Sequence, residues 1–410
     1  MFKKITGALD FIIYWSIVIM PFSVAIAPGL ANTFIGFFAG FFIIKKIIKR
    51  ERPFIAMPVI LPFILMMVIA ALSFRNSVSF STSFSGLEKL FKSLLIFVVC
   101  AEEIKDRKHV SRIVISIILG ISLVSVDAVW QIIFGRDFIR GNTLQQAIGL
   151  VRPTASFPNP NVFGVYMSAL TPIAIGLTLF YFKGKKRILM LFISALATTG
   201  LSLTLSRGAG LALYLSTLFL CIAKKKKILT LILIAIVIIS PFVMPKNIKQ
   251  WAKGVNYNPL VLMCNQDRIS IYRNTINMIK HHPFTGVGVN TFSKNYGKYK
   301  TESAEKYAHT PDTIYAHNIY LQMAGEIGLL GLLAFLWFLT RIFIRTLRAY
   351  RNLKDDYLKT IALSLVACFI AFLVNGLTET SLYYSRVAMV FWYLIGVSLA
   401  LWRLSAKEAA

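Results

Sequence analysis

Lys224-Lys-Lys-Lys-Ile-Leu-Thr-Leu-Ile-Leu-Ile-Ala-Ile-Val-Ile-Ile-Ser-Pro-Phe-Val-Met-Pro245 sets four lysines against eighteen residues without a charge. A helix at the surface of a soluble domain keeps a polar face, and this run has none. At 1.5 Å per residue it approaches the ~30 Å hydrocarbon thickness of a bilayer. Similar runs recur on both sides of it. The chain is 57% apolar and 15% charged, with a mean hydropathy of +0.68. Counting apolar stretches between basic breaks predicts spans at 8–28, 30–46, 54–73, 87–101, 113–134, 162–182, 188–205, 208–223 and 228–245. Three more are expected at 317–340, 359–378 and 386–403. The expected fold is an all-α polytopic membrane protein of about twelve transmembrane helices.

The net charge of +28 invites a nucleic-acid partner, but the placement of the charges argues for none. Lys and Arg gather in short runs between spans: Lys45, Lys46, Lys49 and Arg50; Lys183, Lys185, Lys186 and Arg187; Lys224 to Lys227. Such loops stay cytoplasmic. With Lys3 and Lys4 inside, twelve crossings put both termini in the cytoplasm. That arrangement places 27 Lys and Arg inside and 18 outside, ten of the latter in one long loop at 246–316. Long loops translocate regardless of charge, so the bias favours this orientation. The first apolar run is too long for a signal h-region and reads as an uncleaved span. Cys100, Cys221, Cys264 and Cys368 form neither a metal spacing nor a disulfide framework.

The organisation is therefore helices 1–9 over 1–245, a loop at 246–316 between helices 9 and 10, and helices 10–12 over 317–410. Long ordered loops carry function. Within this one, Asp267 could N-cap a short helix with Ile269, Tyr272, Ile276 and Ile279 on one stripe, ended by Pro283. It would lie on the membrane surface or over a cavity between spans. A second outward segment, 135–161, holds Arg152-Pro-Thr-Ala-Ser-Phe-Pro-Asn-Pro-Asn161.

The polar groups expected at the outer face bear the chemistry. His317 sits where the long loop enters a span, and an imidazole at a cavity mouth is a candidate general base. From position alone it also reads as an interfacial histidine beside Tyr315 and Tyr320 in an aromatic belt. Arg207, in Ser206-Arg-Gly-Ala-Gly210, is held at the hydrocarbon edge, either to bind phosphate or to snorkel. Arg152, Arg268, Arg273 and Arg386 are further outward cations; converging on one cavity, they would form an anion site. Glu326 and Asp127 lie within spans, as helix-to-helix hydrogen-bonding groups or proton relays. Ala324, Gly325, Gly328 and Gly331 read as a close-packing face. Gly286-Val-Gly288 lacks the rest of a phosphate-loop fingerprint. No spacing suggests a metal site or a cofactor.

Four segments together resemble the O-antigen ligase and O-antigen polymerase superfamily of bacterial membrane glycosyltransferases. They are 152–161, Leu205-Ser-Arg-Gly-Ala209, Asp267-Arg-Ile-Ser-Ile-Tyr272 running on to His282-Pro-Phe-Thr-Gly-Val-Gly288, and Ala316-His-Asn-Ile-Tyr-Leu-Gln322 with Glu326-Ile-Gly-Leu-Leu-Gly331. The resemblance implies transfer of a glycan from a polyprenyl (undecaprenyl) diphosphate carrier to a lipid A-core acceptor. The reaction would take place at the periplasmic face of the inner membrane, be independent of metal and invert the sugar. By motif, His317 would be the base, Arg207 and Arg268 would hold the diphosphate, and Arg152 and Arg386 would contact phosphate or core sugar. O-antigen polymerases and protein O-oligosaccharyltransferases share the donor and differ in the acceptor. A polysaccharide-lipid transporter would instead line a path through both membrane halves.

Overall fold

The computed structural model describes residues 2–51, 59–147, 150–243, 249–250, 253–258, 261–262, 264, 266–301 and 314–409. The start of the third expected span, 54–58, and parts of the long loop, including 302–313, lie outside the described residues. The chain is an all-α membrane protein. Its helices are α1 Phe2–Ile26, α2 Pro28–Lys49, α3 Ile60–Leu72, α4 Phe80–Glu103, α5 Arg107–Phe134, α6 Pro160–Phe180 and α7 Gly184–Leu203. They continue as α8 Arg207–Ala223, α9 Lys227–Val243, α10 Gln266–His281, α11 Phe292–Tyr296, α12 Ile319–Asn352, α13 Asp356–Asn375 and α14 Ser385–Ala409. A two-stranded hairpin, β1 Gln145–Ala147 with β2 Leu150–Arg152, is antiparallel, with Gln145 opposite Arg152.

A helix stands at each of the twelve expected positions. Of these, α1, α2, α5, α6, α7, α12, α13 and α14 are long and apolar enough to cross a membrane. Helices α3, α8 and α9 are apolar but only 13, 17 and 17 residues long. Helix α4 is long but carries Glu88, Lys89 and Lys92. The helix starts follow local chemistry. Asp106, Asn159, Asn318 and Asp355 each accept a hydrogen bond from a first-turn backbone N–H, and Pro28 and Pro160 sit where a missing N–H costs nothing.

The C-terminal helices pack into the middle of the bundle. Helix α13 lies against α6 and α8, α14 against α4, and α12 against α3 and α14. Side-chain hydrogen bonds add to this packing, as expected where no water competes. Asn375 donates to Ser168 at 2.8 Å, Thr178 pairs with Ser194 at 3.0 Å, and the Tyr393 hydroxyl donates to the Ile17 carbonyl at 2.8 Å. Phe63 packs edge to face against Phe97, Phe338 and Trp392 where α3, α4, α12 and α14 meet.

The basic clusters are not all solvated. Lys45 is buried and pairs with Asp10 at 2.6 Å and Glu103 at 2.7 Å; Lys46 pairs with Glu102 at 2.7 Å. These contacts fasten α1, α2 and α4 together at one end of the bundle. Helix α10 and the 282–299 segment cap the other end over a small core of their own, containing Ile271, Met278, Val287, Phe292 and Tyr296.

The cap differs in detail from the expected amphipathic helix. Helix α10 begins at Gln266, so Asp267 lies in its first turn rather than at the N-cap. Its buried face is Ser270, Ile271, Asn274, Thr275 and Met278, while Ile276 is 45% exposed. The anticipated stripe of Ile269, Tyr272, Ile276 and Ile279 is rotated away from the core. Two buried polar positions displaced it: Asn274 donates to the Tyr296 hydroxyl at 2.8 Å and accepts from the Thr301 backbone at 3.1 Å, and Thr275 donates to the Ile271 carbonyl at 2.7 Å. Hydropathy alone would have assigned both to solvent.

Candidate functional site

Helix α10, the start of α12 and the α13–α14 connector meet at the capped end. Arg268 and Tyr272, one turn apart on α10, both point into this junction. Arg268 donates to the Thr378 carbonyl at 2.6 Å and to Glu379 Oε1 at 2.5 Å. The Tyr272 hydroxyl lies 3.0 Å from the His317 carbonyl oxygen and 3.1 Å from that of Leu377, and it donates there. The other oxygen of Glu379 faces His317 Nδ1 at 3.4 Å. Glu379 thus joins the helix of the cap to the residue expected to act as base.

Electrostatics keeps this carboxylate ionised. Burial alone would raise the Glu379 pKa, but the hydrogen bond from His317 and the charge of Arg268 outweigh it and hold the group below its usual range. Burial likewise opposes the charge of Arg268, and Glu379 more than offsets it, so this guanidinium lies above its ordinary value. In the neutral ring with its proton on Nδ1, directed at Glu379, Nε2 of His317 is the acceptor. His317 has φ of 46°, a left-handed conformation that costs an L residue about 1–2 kcal/mol. Asn318 follows it as the N-cap of α12, accepting from Tyr320 and Leu321 at 3.0 and 2.9 Å. The cap fixes where the helix begins and hence where the imidazole stands.

Two more guanidiniums stand close to Arg268. Arg152, at the end of β2, donates to the Thr204 carbonyl and to Asn161 Oδ1, both at 2.6 Å. Burial depresses its pKa; Glu379 pulls the other way, and the nearby charges of Arg268 and Arg207 add to the depression. Arg207 opens α8 and donates to the Leu262 carbonyl at 2.5 Å. The helix N-terminus adds its own partial positive charge there. Gly208 permits this approach, since a Cβ on it would lie 2.2 Å from Thr378 Oγ1, beside Glu379. Arg268 and His317 thus contact Glu379, Arg152 lies within reach of its charge, and Arg207 stands near Arg152 and Arg268. Like charges this close are costly unless an anion lies among them.

A second layer holds the first. Glu326 is buried on α12 and accepts from the Asn290 and Phe292 backbone at 2.7 and 3.2 Å, from Gln322 at 2.9 Å and from the Tyr383 hydroxyl at 2.7 Å. It ties the cap to the α13–α14 connector as a structural carboxylate. At Gly328 the expected helix-packing face of Ala324, Gly325, Gly328 and Gly331 gives way to a different device. Helix α12 breaks at Gly328, with φ 72° and ψ 177°. The 283–288 segment fills the break: Val287 and Gly288 donate to the Gly325 and Glu326 carbonyls at 2.9 and 3.0 Å, and Leu329 donates to the Pro283 carbonyl at 2.7 Å. A Cβ on Gly328 would meet the Phe284 oxygen at 2.0 Å. Gly286-Val-Gly288 serves this docking.

Arg386 is engaged elsewhere. Buried on α14, it donates to Ser156 Oγ at 3.0 Å and the Ile26 carbonyl at 3.3 Å, with its guanidinium 4.6 Å from the centre of the Phe157 ring. It holds the segment before α6 against the end of α1. Asp127 accepts from the Phe138 backbone at 2.8 Å and shapes the turn after α5. Arg273 is exposed on α10. The sequence reading did not single out Glu379. Its one signal was a lone carboxylate in Gly376-Leu-Thr-Glu-Thr380, at the same end of the bundle as His317.

A protein-family model described as O-antigen ligase matches residues 191–336. Arg207, Arg268 and His317 fall within that stretch; Arg152 and Glu379 lie outside it. No curated protein matches the chain. The family is one of glycosyltransferase-like enzymes that act on lipid-linked glycans and lipid acceptors. Together with the apolar helices and the site at the capped end, the matched stretch supports the O-antigen ligase superfamily for this chain.

Proposed function

We propose that the chain is an O-antigen ligase that moves a glycan from a polyprenyl diphosphate carrier to a hydroxyl of a lipid A-core acceptor at the periplasmic face. The observation that carries the reading is the placement of Glu379 between Arg268 and His317. His317 Nε2 takes the proton of the acceptor hydroxyl. The oxygen then attacks the anomeric carbon from the face opposite the diphosphate, and the sugar–phosphate bond breaks with inversion. The bonding pair leaves with the diphosphate, and Arg152, Arg207 and Arg268 stabilise its growing charge. The proton stays on His317 as an imidazolium facing Glu379, the role a carboxylate plays beside a catalytic histidine. Outside the cytoplasm there is no pool of nucleotide sugar, so the donor must arrive already activated on a lipid.

Reconstitution with purified donor and lipid A-core tests the proposal. The expected product is glycosylated lipid A-core, with transfer unaffected by chelator because guanidiniums supply the positive charge. His317→Ala should lower transfer by about three orders of magnitude or more with donor binding retained. Arg207→Ala should weaken donor binding by about tenfold or more. Chain elongation from two donors would assign a polymerase instead. Full transfer by His317→Ala would end the mechanism.

A further inference from the structure

A second polar feature lies across the α13–α14 connector from His317. Helices α4, α12 and α14 enclose a cavity of about 220 Å³ whose wall includes Ile96, Met389 and Trp392 and whose rim carries Lys89 and Lys92. The two lysines are three residues apart on α4 and so share a face. Phe84 and Phe91 of the same helix are exposed, as expected of a helix side turned toward lipid. Ammonium groups at that level are costly and are retained where an anion or a water-filled site compensates them. Here their partners are neutral. Lys89 donates to Asn290 Oδ1 at 3.0 Å and Lys92 donates to Asn32 Oδ1. Among the described residues neither ammonium forms a salt bridge within 4.0 Å. Glu326, which also lines the cavity, is taken up by its four donors.

An apolar hollow with two cations at its rim fits an amphiphile with acyl chains and a phosphate-bearing head. The connector says which one. Glu379 faces His317 on one side of it, while four residues later Tyr383 lines the cavity and donates to Glu326. The Tyr383 ring lies 5.9 Å from that of Tyr315, two residues before His317. A head group seated at Lys89 and Lys92 therefore extends past the tyrosine pair toward the imidazole. We propose that this cavity seats the lipid acceptor, with Lys89 and Lys92 binding its phosphates. The inference rests on the glycosyl-transfer reading and adds a second lipid site to it.

The test uses the full chain in nanodiscs, with lipid A-core either intact or stripped of its phosphates. In the variant carrying Lys89→Gln and Lys92→Gln, the acceptor KM should rise about tenfold or more while the donor KM stays within about twofold. Removing the phosphates should raise the wild-type KM by a similar factor and the variant's no further; Arg at both positions should restore it. An unchanged acceptor KM, a donor KM rising in step, or full additivity of the two losses would overturn the assignment. Native mass spectrometry gives a readout independent of transfer. The wild type should retain intact lipid A-core in preference to phosphatidylglycerol, and the variant should not. Equal retention of phosphatidylglycerol would make the cavity a bulk-lipid site and overturn the proposal. Selective retention without transfer by the wild type would sink the enzymatic reading and leave the lipid site standing.

Discussion

Glu379 has one oxygen on Arg268 and the other toward His317, so a single charge both fastens α10 and orients the imidazole. Glu379→Gln keeps the shape and removes the charge. Transfer should fall by about two orders of magnitude or more, and donor binding should fall much less. The acid response has a definite sign. The folded-state pKa of Glu379 is lowered, with burial opposing and His317 and Arg268 prevailing. Its contribution is therefore complete above the unfolded value of about 4.3 and is lost only as pH falls through the lower folded value. Hydrogen exchange of α10 should stay slow from neutral pH to below that ordinary range in the wild type and be faster throughout in Glu379→Gln. Loss of protection already near pH 5 would show that the carboxylate is not held ionised. Arg207, Arg268 and His317 were legible because each stands in a recognisable local pattern. Glu379 was not, because its meaning comes from partners 111 and 62 residues away along the chain.

At the scale of elements, the apolar runs announced the helices because a bilayer demands long uncharged stretches with their backbone bonds closed internally. The same physics hid the irregular part. Gly325, Gly328 and Gly331 look alike in sequence, yet Gly328 alone among them has a positive φ and opens α12 to the 283–288 segment. Periodicity cannot distinguish a small residue that admits a neighbouring helix from one that admits a loop. Gly328→Ala must strain the backbone and push against the Phe284 carbonyl, at a cost on the order of 2–4 kcal/mol. The expected result is a lower unfolding temperature in detergent, with the cap loosened before the bundle. Faster proteolysis within 282–299 at a temperature where α5 and α6 remain protected would register it. A variant with wild-type protection there would mean that the break does not hold the cap. Helix α10 teaches a related lesson: its existence followed from the pattern, but its buried face was set by Asn274 and Tyr296.

For the whole molecule, the sidedness of the site decides which donors it can meet. Charge counting favours a non-cytoplasmic cap, and the structure refines the count by showing Lys45 and Lys46 neutralised by Asp10, Glu103 and Glu102. The bias rests instead on exposed cations such as Lys183, Lys185, Lys186 and Arg187 at the start of α7. All four cysteines are buried, so an introduced exposed cysteine can be read against a quiet background. Lys298→Cys lies in the cap and Lys186→Cys in the first turn of α7, both at exposed positions. A membrane-impermeant maleimide should label the first in intact spheroplasts and the second only after permeabilisation. The reverse pattern would turn the arginine cluster toward the nucleotide-sugar pool. An activated lipid would then no longer be required as donor, and the argument that assigns the diphosphate to Arg152, Arg207 and Arg268 would lose its premise.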